Sequence, residues 1–275
     1  MSATKWAGRV AGRRGAIFDA HLHIIDPRFP LRPNRGYVPE AFSVADYRAA
    51  TAGLGVAGGA VVAGSFQGPD HAYLLDALAR LGRGFVGVAE LPVDTGDALI
   101  RALHGAGVRA LRVNLRRGSA TDWADLERLI RRAHATAGWH TEVYLDAAAL
   151  SALEARLAHL PALVIDHLGL ERAARPALLR LVERGARVKA CGFGRLDFDP
   201  ALLLRALAAA SPTALLFGTD LPGTRCPRPF QPADLQLLAD ALGDDDLVRA
   251  ALWDNALALY RPDVPASAAG DVAAQ

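Results

Sequence analysis

Two histidines set two residues apart, His21 and His23, end a short apolar run that begins at Ile17. Side chains alternate faces along a strand, so both imidazoles are expected on one face, with Asp19 below them. Two imidazoles at a strand end bind a metal ion or polarise a carbonyl. Taken alone, such a pair reads equally well as hydrogen-bonded core histidines. The chemical reading gains from what ends the other apolar runs. His167 follows Asp166, and Asp220 follows Gly218-Thr219. Glu90, Arg112, Asn114, Glu142, Tyr144, Lys189 and Cys191 sit at the ends of others, and Ser65 and Arg195 follow two more. Each has an ordinary reading too. Asp220 suits a turn, Arg112 half of a buried ion pair with Glu142 or Asp166, Cys191 a small buried hydrophobe, and Lys189 a side chain that snorkels to water.

These residues need elements that bring them together. Eight β-rich runs recur: 17–21, 59–64, 85–90, 108–113, 140–145, 162–167, 187–191 and 214–219. Between them lie helical patterns. Ser43 caps the first, 70–81 carries apolar residues at helical spacing, and 97–104 is the third. The stretch 121–137 opens on Thr121 as cap, with acids early and arginines late, matching the helix dipole. Helices over 147–159, 176–184, 200–210 and 232–242 complete the set, and 245–260 reads as an added C-terminal helix. Eight βα units with no break in composition predict a single-domain (β/α)8 TIM barrel over residues 16–261. A doubly wound open sheet is the alternative, but no Gly-x-Gly-x-x-Gly follows the first strand. In a barrel the C-terminal strand ends share one mouth, so His21, His23, His167 and Asp220 would meet there.

Hydrophobic residues make up 52% of the 275-residue chain and charged residues 22%, enough apolar material for one large core. The net charge of +2 is small and the arginines are dispersed, which argues against a nucleic-acid partner. No apolar run reaches the ~20 residues of a membrane helix. Two cysteines and no secretory signal suggest a reducing, cytoplasmic setting. Residues 1–15 read as an N-terminal segment, and the Ala/Pro-rich residues 262–275 as a disordered tail. A homo-oligomer is left open.

The combination of Phe18-Asp19-Ala20-His21-Leu22-His23, Asp166-His167-Leu168-Gly169 and Leu216-Phe217-Gly218-Thr219-Asp220-Leu221-Pro222 resembles the amidohydrolase superfamily. It is most similar to the amidohydrolase-2 branch that includes 2-pyrone-4,6-dicarboxylate hydrolase and sugar-lactone hydrolases. The resemblance implies a TIM-barrel hydrolase. Superfamily members hold one or two divalent metals through the first-strand histidines, a Lys or His on strand five, a His on strand six and an Asp on strand eight. His21, His23, His167 and Asp220 match those positions, while strand five offers Glu142 or Tyr144 instead. Gln67 stands where the pyrone hydrolase would carry a His, and Gly223-Thr224-Arg225 departs from the family's usual aromatic and His. The pyrone hydrolase works without metal, so the resemblance leaves either no cofactor or one Zn²⁺ or Mn²⁺. The implied activity is hydrolysis of a lactone or similar cyclic ester on a small anionic substrate. Asp220 would activate water, His21, His23 and His167 would polarise the carbonyl, and Arg112 and Arg195 would grip a carboxylate. Tyr144 and Ser65 would add orienting hydrogen bonds. The alternatives are a mononuclear metal-dependent decarboxylase or amide hydrolase, and a non-enzymatic binding barrel.

Overall fold

The computed structural model describes residues 16–118 and 121–263; the expected N-terminal segment and nearly all of the expected tail lie outside them. Eight parallel strands form one sheet in chain order: β1 (Ile17–Leu22), β2 (Val56–Val62), β3 (Phe85–Ala89), β4 (Val108–Asn114), β5 (His140–Tyr144), β6 (Leu163–Ile165), β7 (Arg187–Ala190) and β8 (Leu215–Phe217). A helix follows each: α1 (Val44–Ala50), α2 (Ala72–Leu81), α3 (Asp97–Gly105), α4 (Trp123–Ala137), α5 (Ala147–Leu157), α6 (Arg175–Glu183), α7 (Ala201–Ala210) and α8 (Pro232–Leu242). This is the TIM barrel that the alternating pattern predicts. The expected C-terminal helix is three pieces: α9 (Asp245–Arg249), a π-helical turn (Ala250–Asp254) and α10 (Asn255–Tyr260). α4 starts later than expected. Asp122, not Thr121, caps it by accepting the Ala124 N–H.

Alternation sorts the apolar residues into two layers. Outward residues such as Leu111, Val113 and Val143 pack against the helices. Inward residues such as Phe18, Ala60, Val62, Val86 and Val88 fill the barrel. Tyr260 of α10 stacks on Phe18 with ring centroids 5.1 Å apart, joining the C-terminal helix to that inner core. On β4, β5 and β7 the inner positions include Arg112, His140, Glu142 and Lys189, all buried. So the sequence places a polar cluster where most barrels carry Val, Ile and Leu.

The two ends of the sheet meet at the mouth. Asp220 N–H donates to the His21 carbonyl at 2.7 Å and His23 N–H to the Leu221 carbonyl at 2.8 Å. Gly218 permits this approach, since a Cβ there would stand 2.8 Å from the His21 nitrogen. Asp19 fastens the same junction. Its carboxylate accepts the Thr219 N–H (2.8 Å), the Thr219 hydroxyl (2.6 Å) and the Tyr47 hydroxyl (2.9 Å).

The expectation that Asp19 shares a face with the two histidines is therefore wrong. Between Asp19 and Leu22 the pairing with β2 slips: Asp19 stands opposite Gly59 and Leu22 opposite Val61, three steps against two. The extra residue inverts the alternation. Asp19 points outward to Tyr47 on α1, while His21 points into the barrel toward Lys189.

Candidate active site

The loops beyond the strand ends border a cavity that is partly open to solvent. His23, Ser65, Arg112, Tyr144, His167 and Arg195 line it, as expected of mouth residues. His21 and Asp220 lie one layer deeper. The His21 ring is 4.6 Å from that of His167 and 5.2 Å from that of His23, and Asp220 Oδ2 accepts Arg195 Nε–H at 2.6 Å.

Two further arginines line the cavity that sequence reasoning did not assign to it, Arg117 and Arg225. Their signal was positional: one follows β4, the other follows Asp220. Arg225 stacks over the Tyr37 ring at 4.3 Å and donates to the Asn34 backbone. With Arg112 and Arg195 they make four guanidinium groups and no carboxylate among the described residues of the wall. Arg112 is anchored by donating to the Ala63 carbonyl at 2.9 Å and lies over Tyr144 at 5.6 Å, while its Nε–H has no partner. This lining attracts anions.

The three histidines are neutral. Burial lowers each, and neighbouring cations lower them further: Lys189 and Arg112 at His21, Arg112 at His23, Arg195 at His167. His23 falls to about 3. His23 Nδ1–H donates to the Val62 carbonyl at 2.7 Å, which leaves its Nε2 as an acceptor. His167 Nδ1 lies 3.2 Å from Cys191 Sγ.

Burial raises Asp220, with Arg195 acting against it. Among the described residues its Oδ1 has no partner and lies 3.9 Å from His21 Nε2, which also has none. A buried ion pair with Arg195, one layer below the cavity, is the arrangement expected of the binding-barrel alternative; it uses Oδ2 alone. Both His167 (φ 52°) and Asp220 (φ 60°) hold left-handed backbone, which His and Asp tolerate better than most residues. Gly192 makes room for both. A Cβ there would stand 2.8 Å from His167 Nδ1 and 3.1 Å from Asp220 Oδ2.

Of the two strand-five candidates, Tyr144 faces the cavity and Glu142 lies deeper. Glu142 pairs with Lys189 and accepts from the Tyr260 hydroxyl, with His140 Nε2 at 3.2 Å. Lys189 does not snorkel; it is fully buried. It overrides the effect of burial on Glu142 and Asp166 and holds both below the usual carboxylate range.

Among the described residues two groups bring potential metal-ligand atoms within 4.8 Å of one another: His21, His167 and Asp220, and His21, Glu142 and Asp166. Of the four residues implied by resemblance, His21, His167 and Asp220 form the first group, and His23 belongs to neither. The Lys189 ammonium contacts all three members of the second group. Around both groups, Lys189, Arg112 and Arg195 already match Glu142, Asp166 and Asp220 in charge. A divalent ion would add two uncompensated charges to a buried site, which is costly. These residues do not fit a resident divalent metal.

A family model described as amidohydrolase matches residues 18–261. The chain belongs to that amidohydrolase family. A 2-pyrone-4,6-dicarboxylate hydrolase from Comamonas testosteroni is 35% identical over 160 residues, 56% of this chain and 52% of that one. A D-galactarolactone isomerase from Agrobacterium fabrum is 28% identical over 90% of this chain and 91% of its own length. A solved 2-pyrone-4,6-dicarboxylic acid hydrolase candidate from Pseudomonas putida superposes with TM-score 0.77 at 27% identity, covering 90% of this amidohydrolase and 98% of that chain.

Proposed function

We propose that this amidohydrolase opens a lactone that carries at least one carboxylate, without a metal ion. The observation that carries the reading is the cavity wall: four arginines around neutral His23 and His167, with the partnerless Asp220 Oδ1 behind them. The arginines hold the substrate's carboxylate through paired N–H donors. His21 and His167 polarise the lactone carbonyl through their ring N–H groups, while His23, whose Nε2 accepts, does not donate to it. Asp220, raised by burial yet kept ionisable by Arg195, takes a proton from water as the water oxygen bonds to the carbonyl carbon. The ring C–O bond then breaks, and Asp220 returns that proton to the departing oxygen, giving the open hydroxy acid. Tyr144 and Ser65 orient the ring.

The relatives named for a pyrone dicarboxylate and a galactarolactone support the cyclic-ester class, and the second favours isomerisation as the alternative outcome. A metal-dependent decarboxylase lacks support because the buried charges are already balanced. No helix among the described residues is long and apolar enough to cross a membrane. Two free cysteines, Cys191 buried and Cys226 half-buried, support a reducing, cytoplasmic setting.

The test is a panel of carboxylated and uncharged lactones assayed on chelator-treated protein, with products identified by NMR. Turnover of carboxylated lactones with no gain from added Zn²⁺ or Mn²⁺ is expected. Asp220→Asn should lower kcat about 1,000-fold. Preference for uncharged lactones, or near-normal turnover by Asp220→Asn, would sink the reading.

A further inference from the structure

We propose that the Lys189 ammonium takes the place of a metal ion inside this barrel, filling the His21–Glu142–Asp166 cluster and fixing His21 with its proton on Nε2. The cluster has the make-up of a cation site, with one imidazole and two carboxylates offering atoms within 4.8 Å of one another. Lys189 Nζ lies among them, 3.2 Å from His21 Nδ1, 3.5 Å from Asp166 Oδ1 and in contact with Glu142 Oε2. All four side chains are fully buried, so water does not supply the counter-charge. One ammonium among three donor groups does what a bound cation would do. Together with Arg112, 3.7 Å from Asp166 Oδ2, it compensates the two carboxylates, and it organises the imidazole.

The consequence for His21 follows from hydrogen-bond inventory. An ammonium only donates, so His21 Nδ1, which meets Lys189 Nζ at 3.2 Å, is an acceptor; Asp166 Oδ1 lies 3.4 Å from the same nitrogen without making a hydrogen bond, and the ring proton sits on Nε2. That Nε2–H is partnerless and points to the side of Asp220 Oδ1. His23 has the opposite form, with its proton on Nδ1 bound to the Val62 carbonyl. The two histidines of the pair are therefore not equivalent. His21 presents a donor, suited to a developing oxyanion, and His23 presents an acceptor. Lys189 is thus a positioning residue that acts through His21. A metal at this place would bind Nδ1 and give His21 the same tautomer. The inference shares the reading of His21 as the carbonyl's donor, but its tests need no substrate.

The first test uses the unaltered protein with ¹⁵N-labelled histidine. Nitrogen shifts should report His21 protonated on Nε2 and His23 on Nδ1; a His21 protonated on Nδ1 would overturn the proposal. The second uses Lys189→Ala, titrated with Zn²⁺ and Co²⁺ and read by metal analysis and cobalt absorption. Removing the ammonium leaves Glu142, Asp166 and the imidazole one positive charge short, with Arg112 still beside Asp166. The variant should bind one equivalent at least 100-fold more tightly than the parent, and the metal should raise its melting temperature. Equal affinity in parent and variant would refute the replacement. Should Lys189→Ala not fold, the histidine spectrum of the parent still decides. Neither outcome depends on whether the substrate is a lactone.

Discussion

At the scale of single residues, the site separates holding an anion from acting on it. Arg117 and Arg225 line the cavity, and no carboxylate among the described residues is seen against either guanidinium; Arg225 Nη2 is committed to Asn34, so the donors of Arg117 and the other donors of Arg225 remain for a ligand. Arg112 and Arg195 are partly committed, one to Ala63 and Asp166, the other to Asp220 and Thr224. Removing Arg117 or Arg225 should therefore weaken substrate binding more than it slows chemistry. A hydrogen bond to a charged group contributes about 1.5–3 kcal/mol, so Arg117→Met or Arg225→Met should raise KM for a carboxylated lactone roughly 10- to 100-fold. The kcat should change little, and uncharged analogues should be indifferent. Steady-state kinetics on matched charged and uncharged substrates checks this. A fall in kcat with KM unchanged would place these arginines in the chemical step instead.

At the scale of elements, the site depends on how β1, β7 and β8 approach one another. Gly192, just past β7, has left-handed backbone (φ 64°) and sits where a methyl group would press on His167 and Asp220. Gly192→Ala should cost at least tenfold in kcat through their displacement, with stability lowered by about 1–3 kcal/mol. Urea unfolding beside kinetics separates the two effects. Thr219, just past β8, donates twice to Asp19 on β1 and so joins the first strand to the last. Burial raises Asp19 to about 6, and the Thr219 hydroxyl is the largest influence against that rise. Thr219→Val should destabilise the protein by about 1–3 kcal/mol and raise Asp19 further. Urea midpoints and a carboxyl NMR titration of Asp19 measure both.

At the scale of the whole molecule, the buried titratable groups set the response to pH. His21, His23, His140 and His167 are all lowered by burial, so below the usual histidine value the unfolded chain takes up protons that the native state refuses. Stability from these groups is complete above pH 6.5 and lost as pH falls. Asp19 and Asp220 are raised by burial and act oppositely, the native state holding more protons than the unfolded one, at Asp19 between about pH 4 and 6. The histidines outnumber them, so the unfolding free energy should decline by about 1–3 kcal/mol per pH unit below pH 6. Glu142 and Asp166, held low by Lys189, steepen the decline below pH 4. Urea midpoints between pH 8 and 4 check the sign; rising stability on acidification would contradict it. Much of this molecule was legible in the chain itself. Eight apolar runs separated by helical patterns determined the barrel, because strand and helix periods are local properties. Residues at the ends of those runs determined most of the mouth, because a barrel brings all its C-terminal strand ends to one face. The sequence alone did not decide on which side Asp19 lies, since one slipped residue between β1 and β2 reverses the alternation. Nor did it decide what Lys189 does. A lysine in an apolar run looks the same whether it reaches water or a buried cluster, and only its three-dimensional approach to His21, Glu142 and Asp166 distinguishes the two.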